Sequence, residues 1–392
     1  MTTRTRFTVL FISMPVLAFV LLGSLRGRAA TDDADIRDLR VFRDVVGLIT
    51  SSYVEPVKVD SVMDGALRGL ADGLDPDSAY LNAAETTAVE RGDRLPDGDV
   101  GIELTRQYYL RVIAARDGSP AANAGLQTGD YVRAIDGKPT RDLSVFEGVR
   151  LLRGAPGTKV SLLVIRGNAA DPKTIDLVRE KIPPAIVTGH MVQGDVGYLR
   201  IGSFDDGIAP TLRREAEALT KSGAKHLVID IRHTAEGPFA SGIEAARLFV
   251  PSGTLSIEAG RNEQTPRQTF AAKPGDGAMT TPITLLVTAG TSGAAELFAA
   301  ALHGNRRADL VGERTLGRAG VQKLVRLPDG CGLWLTYARY LTPSGQPIQG
   351  KGLAPDLEVD QPEAPDFDTT TPPPGDPVLD AAMARIHGNQ GA

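Results

Sequence analysis

The segments VGYLRIGSF (196–204), APTLRREAEALTKSG (209–223), AKHLVIDIR (224–232), ASGIEAARLFV (240–250), TPITLLVTAG (281–290), AAELFAAAL (294–302) and ADLVGER (308–314) alternate between two patterns. Short aliphatic and β-branched runs read as strands, and apolar residues spaced by three and four read as helices. Strand and helix in alternation imply right-handed crossovers and a largely parallel sheet. GCGLWLTYARYLTP (330–343), alternating in part, reads as an added antiparallel strand.

Upstream the texture changes. From Asp97 to Gly167 short β-branched runs are punctuated by Gly and Pro: GDVGIEL, LRVIAA, SPAANAGLQTGDYVRAIDG, SVFEGVRLLRG, GTKVSLLVIRG. Strands with two short helices in so small a unit describe an α+β domain of barrel type. Before it, DIRDLRVFRDVVGLITSSYVEPV (35–57) sets Leu39, Phe42, Val45, Val46, Ile49 and Tyr53 at helical spacing, and a second helix over Ser61–Leu70 ends at GLDPDSAYL (73–81), where Pro76 cannot continue it. After Asp360, QPEAPDFDTTTPPPGD (361–376) reads as extended and PVLDAAMARI (377–386) as one short helix. The expected divisions are 1–30, 31–96, 97–168, 169–360 and 361–392, a multidomain chain of α/β and α+β parts.

Composition narrows the function classes. Lys+Arg 43 against Asp+Glu 48 gives a net charge of -5, too acidic for phosphate-driven binding, so no nucleic-acid partner is expected. The single Cys331 excludes an intramolecular disulfide, and five scattered His offer no zinc-like spacing, so neither metal nor cofactor is expected. Phe7–Leu25 is an uncharged apolar stretch preceded by Arg4 and Arg6, long enough to cross most of a bilayer. RAA (28–30) puts Arg28 where a cleavage site wants a small residue. The expectation is an uncleaved anchor in the cell envelope with the rest of the chain facing the periplasm or the exterior, or an exported chain if the segment is cut.

In order along the chain, YVEPV, GLDPDSAYL, GSPAANAGLQTGDYVRAIDGKP, LRGAPGTKV, GYLRIGSF, LVGERTLGRAGVQ and ARYLTPSGQPIQGKGLAPD resemble the carboxy-terminal processing peptidases, exported serine proteases with a PDZ domain inserted in the protease core. The resemblance covers nearly the whole chain after the apolar stretch. It implies an N-terminal helical segment, a PDZ domain and a ClpP/crotonase-like α/β protease core. It also implies a groove that takes a protein or peptide C-terminus as an added strand, with the carboxylate held by backbone N–H groups. In that groove Gly101 would let the backbone approach the carboxylate, Ile102 and Leu104 would line the apolar pocket, and Val149 and Leu152 would close it.

The catalytic motifs depart from the family. Members carry G-S-A-S-A-S-E, whose middle Ser is the nucleophile, and a Lys base in G-K-G-x-V-Q. Here the first reads Gly290, Thr291, Ser292, Gly293, Ala294, Ala295, Glu296, which puts Gly293 at the nucleophile position. The second puts Arg318 at the base and Gln322 at the third, orienting position. An arginine cannot be deprotonated in a protein, so it takes no proton from a hydroxyl. The N-P-G-G loop is altered as well: His233, Thr234, Ala235, Glu236 and Gly237 follow DIR. Ser292 with His233 is a legitimate nucleophile and base if the two are within reach, with Glu236 or Asp230 to orient the ring. Against it, a shift of one residue turns a side chain by about 100 degrees at a helix start, and Ser at such turns commonly caps the helix. Two readings stand: a binding protein that captures C-termini or regulates an active peptidase, and a serine endopeptidase with relocated catalysis.

Overall fold

The computed structural model describes residues 37, 39–167, 171–184, 187–261, 265–361, 367 and 375–390. The apolar stretch Phe7–Leu25 and most of the Pro-rich run after Asp360 lie outside the described residues. The chain divides into two units, Met1–Leu70 and Ala71–Ala392. The first holds a helix over 39–52, on which Leu39, Val45 and Ile49 are exposed, and most of the helix Val59–Asp72.

In the second unit an antiparallel sheet runs in the order Ile102–Gln107, Tyr109–Ala115, Tyr131–Ile135, Lys159–Ile165, Lys173–Val178. Its last strand lies beyond the expected boundary at 168, because Ile175 and Leu177 alternate with polar residues and face the small domain's core. Helices Pro120–Asn123 and Val145–Leu152 close that core. Each is stopped at its start by a serine: Ser119 Oγ accepts from Ala122 N, and Ser144 forms a reciprocal cap with Glu147. Gly98–Asp99 pairs with Glu180–Lys181 and gathers the two ends of the domain.

The expected parallel sheet is present. Its order is Thr188–Met191, Val196–Arg200, His226–Asp230, Ile283–Val287, Ala308–Gly312, Leu357–Glu358, all parallel except the first pair. Both faces are covered, as parallel strands require. Leu199, Leu227, Ile229 and Leu285 pack in one cluster with helices Ile208–Lys221, Phe239–Ala246 and Ala294–Gly304. Val196, Val228, Leu286 and Val311 face the other way, onto helix Pro377–Gln390.

Segment 330–343 is antiparallel as expected, but it does not extend the parallel sheet. Strand Gly332–Leu341 centres a third sheet, pairing with Gly320–Arg326, Thr254–Gly260 and Ala79–Leu81. The region expected to be helical up to residue 96 therefore contributes a strand to the C-terminal half.

The C-terminal helix is fastened at its start by charge. Asp376 accepts two bonds of 2.7 Å from the Arg232 guanidinium and caps Leu379 N at 3.0 Å. Arg232 also holds the buried Asp230. Asp376→Ala removes a cap and a charged partner together, and should cost about 1–3 kcal/mol. Urea unfolding followed by circular dichroism checks this; an unchanged midpoint would mean that apolar packing alone holds the helix.

Candidate active site

Strand Ile283–Val287 passes through a tight turn into helix Ala294–Gly304, whose residues Ala294–Leu302 are all buried. The turn is held from neighbouring loops: Thr291 Oγ1 donates to Ile231 O at 2.8 Å, Ser292 N to Thr234 O at 3.0 Å, and Leu316 N to Thr291 O at 3.1 Å. Gly293 sits at φ 64, ψ -124, a conformation costing a residue with a side chain about 1–3 kcal/mol. This is the kind of strained strand-to-helix elbow on which hydrolases expose a nucleophile. A Cβ on Gly293 would stand 3.4 Å from Ala235 O, an ordinary contact. A Cβ fits here, and the glycine carries no hydroxyl.

Ser292, the neighbouring candidate, is fully buried and its Oγ has no hydrogen-bond partner among the described residues. It does not cap the helix as expected, because the cap position falls on Gly293 and Ser292 turns inward. Nor is it bonded to His233. The loop of His233 does lie beside the turn, as His233 N donates to Thr288 Oγ1 at 3.3 Å, but the imidazole points to the small domain. Its Nδ1 is 2.8 Å from Thr128 Oγ1. Thr128 donates its one hydroxyl proton to Ile113 O at 2.6 Å, so Nδ1 carries the ring proton and Thr128 accepts it. Burial, aided by the nearby Arg200 charge, pushes the imidazole below its usual range and keeps it neutral. Asp230 is occupied by Arg232 and Tyr198, and Glu236 by Arg116 at 2.6 Å, so neither orients the ring.

Arg318 is close to the elbow through its backbone. Its N–H and that of Gly317 donate to the Glu296 carboxylate at 2.8 and 2.7 Å. Its side chain turns to two carboxylates, Asp77 Oδ1 at 2.9 Å and Glu103 Oε2 at 3.2 Å. Burial opposes the guanidinium charge, but Asp77 and Glu103 outweigh it and hold the pKa above its usual value. Gln322 stands on the third sheet, where Nε2 donates to Thr336 Oγ1 at 3.1 Å. Asp77, Glu103 and Thr128 were not among the expected site residues. The signal for the first two was Arg318 itself, since a largely buried arginine needs carboxylates.

The small domain is bound tightly over this region. Arg116 bridges Glu236 and Asp205, and Arg200 reaches Asp117 at 2.9 Å. What is left between Gly101, Glu103, Arg116, His233 and Glu236 is a crevice of about 10 Å³, room for one water. The expected peptide pocket is also filled. Ile102, Leu104 and Leu152 are buried in the small domain's own core and only Val149 is half-buried, because helix Val145–Leu152 lies flat on the strands at Gly148. Gly101 has φ 74, and a Cβ there would meet Ser119 at 2.4 Å.

Comparison with known proteins places these features. The family model for peptidase family S41 matches residues 195–359, and that for the PDZ domain matches 111–166. The carboxy-terminal-processing protease of Bartonella bacilliformis is 32% identical over 331 residues, covering 83% of this chain and 76% of that protein. The carboxyl-terminal-processing protease of Synechocystis is 35% identical over 296 residues, covering 74% and 68%. Among solved structures the photosystem II D1 C-terminal processing protease superposes with a TM-score of 0.68 at 30% identity, over 79% of this chain and 85% of that one.

Glu296 is fully buried, and burial outweighs its four donors to raise its pKa to about 7. The native state then binds a proton more tightly than the unfolded chain, so stability is lost as pH rises from about 4.5 through 7. Glu296→Gln should be less stable overall and should flatten this slope, which is on the order of 2–3 kcal/mol across the window. Denaturant midpoints of both proteins at several pH values test it; parallel profiles would show that Glu296 does not titrate there.

Proposed function

We propose that this chain, which belongs to the carboxy-terminal processing proteases of peptidase family S41, binds protein C-termini through its PDZ domain and does not cleave peptide bonds. The observation that carries this reading is the preserved elbow without its chemistry. The backbone at Gly293 keeps the strained geometry that presents a nucleophile, yet no hydroxyl stands there. At the position of the base, Arg318 is permanently charged and engaged by Asp77 and Glu103.

The competing reading, an endopeptidase using Ser292 and His233, needs a hydrogen bond between them. Among the described residues Ser292 Oγ has no partner, and His233 Nδ1 hydrogen-bonds to Thr128 Oγ1. Moving either into place means breaking the seat of the turn or the contact with the small domain.

For binding, the edge of strand Ile102–Gln107 away from Tyr109–Ala115 is open to an added strand. The terminal side chain has to displace part of the packing around Val149, so helix Val145–Leu152 shifts on capture. The Phe7–Leu25 stretch would hold the protein at a membrane, with an active peptidase as a further candidate partner.

Incubated with an unfolded protein, the wild-type chain should release no fragments above background. Gly293→Ser with Arg318→Lys should restore weak cleavage that neither change gives alone, because half a dyad is inert. Cleavage by the unmodified protein that Ser292→Ala abolishes would instead establish the relocated nucleophile. Separately, peptides with an apolar free C-terminus should bind at least about tenfold (about 1.4 kcal/mol) more tightly than their amidated forms; equal affinities would show that the groove does not read a C-terminus.

A further inference from the structure

Resting on that reading of the PDZ groove, we infer that the groove continues into a platform of tyrosines and arginines that selects acidic side chains upstream of the bound C-terminus. Strand Ile102–Gln107 stands at the end of its sheet order and, among the described residues, pairs on one side only. A peptide with its carboxylate at Gly101 that adds to this edge runs antiparallel to the strand. Its upstream residues therefore travel toward Gln107. At about 3.3 Å per residue in both chains, six strand residues match about six of the peptide, and the next ones arrive at the hairpin tip.

That tip is not built for stability alone. Tyr108 has φ 70, a left-handed conformation that glycine or asparagine takes more easily, and its side chain is 60% exposed. A bulky aromatic held there in strain points to use rather than to packing. Guanidinium groups around it lie on rings: Arg141 is 4.8 Å from the centre of Tyr108 and Arg133 is 4.4 Å from that of Tyr109. The two tyrosines meet edge to face at 4.9 Å. Among the described residues no salt bridge engages Arg133 or Arg141, whereas Arg106 beside them is neutralised by Asp72. Stacking has already ordered both side chains, so a carboxylate that docks on them loses little to entropy.

Next to the tip is an open crevice of about 430 Å³, lined by Tyr108 and Arg141 on one side and by Leu74 and Pro76 on the other. Asp75 on its wall already accepts from Ser78 and Asp77, and Asp142 shares its rim. The crevice thus offers an apolar wall for the peptide chain, and since its charged lining is Asp72, Asp75 and Asp142 against Arg106 and Arg141, acidic side chains are directed to the stacked guanidiniums at the tip rather than into it.

The test uses the full chain and two labelled twelve-residue peptides with one apolar free C-terminus, carrying either Glu or Lys at the sixth and seventh positions from that end. The Glu peptide should bind at least about fivefold more tightly, with a gap that narrows as salt screens the charges. Arg133→Gln with Arg141→Gln should close the gap while leaving the Lys peptide's binding intact. Tyr108→Gly, which suits the backbone at that position, should narrow it without loss of fold. Equal binding of the two peptides, or a gap that survives the double substitution, overturns the platform alone. A preference that persists undiminished when the peptides are amidated shows plain charge attraction outside the groove and also overturns it. If neither peptide binds, the C-terminus reading itself has failed, and the platform falls with it.

Discussion

One buried carboxylate holds the two halves of the site in register. Glu296 lies beneath the start of helix Ala294–Gly304 and accepts from Thr315 and from the backbone of Gly293, Gly317 and Arg318. Three of those four donors are main-chain groups. The geometry of the elbow and of the loop facing it therefore depends on Glu296 rather than on which side chains stand at 293 and 318. A strained turn of this kind can therefore stand around a glycine.

The charge on Arg318 then shapes the surroundings. A guanidinium in a largely buried place is costly unless carboxylates meet it, and no single neighbour supplies both. Asp77 comes from the loop before strand Ala79–Leu81, and Glu103 from the first long strand of the small domain. Arg318, expected from the resemblance at the position of a base, is in the structure a joint between three parts of the chain. The neutral His233 adds a second fastening to the same domain through Thr128, and Arg116 a third through Glu236.

Much of the parallel core was legible in the sequence because its strands are mostly aliphatic runs such as LVID and ITLLV, and its helices carry periodic apolar faces. The third sheet was not. Gly320–Arg326 mixes Lys323 and Gln322 with half-buried aliphatics, and Ala79–Leu81 is too short to show a period. At the site, Gly293 and Arg318 stand out in the sequence because they depart from the motifs that the resemblance implies. Their partners do not, since nothing local in GLDPDSAYL or VGIEL tells how close those segments come to residue 318. The same limit applies to Ile102 and Leu104. Alternation marks them as facing inward, but only the packing of helix Val145–Leu152 decides whether a pocket remains beneath it.

The pairing of Ala79–Leu81 with Gly332–Leu341 bears on how the chain reaches its fold. Ser78 and Thr336, which are bonded across this junction, are 258 positions apart. Closing such a loop sacrifices chain freedom before any contact compensates for it, so this junction forms late. During synthesis the segment of Asp75 to Leu81 must wait for its pairing strand until most of the polypeptide has emerged. The small antiparallel domain, whose strands are neighbours in sequence, meets no such delay and can assemble first. Arg318 can meet Glu103 on the small domain early but Asp77 only when this junction closes, which makes it a fastener of the finished molecule rather than a seed of it.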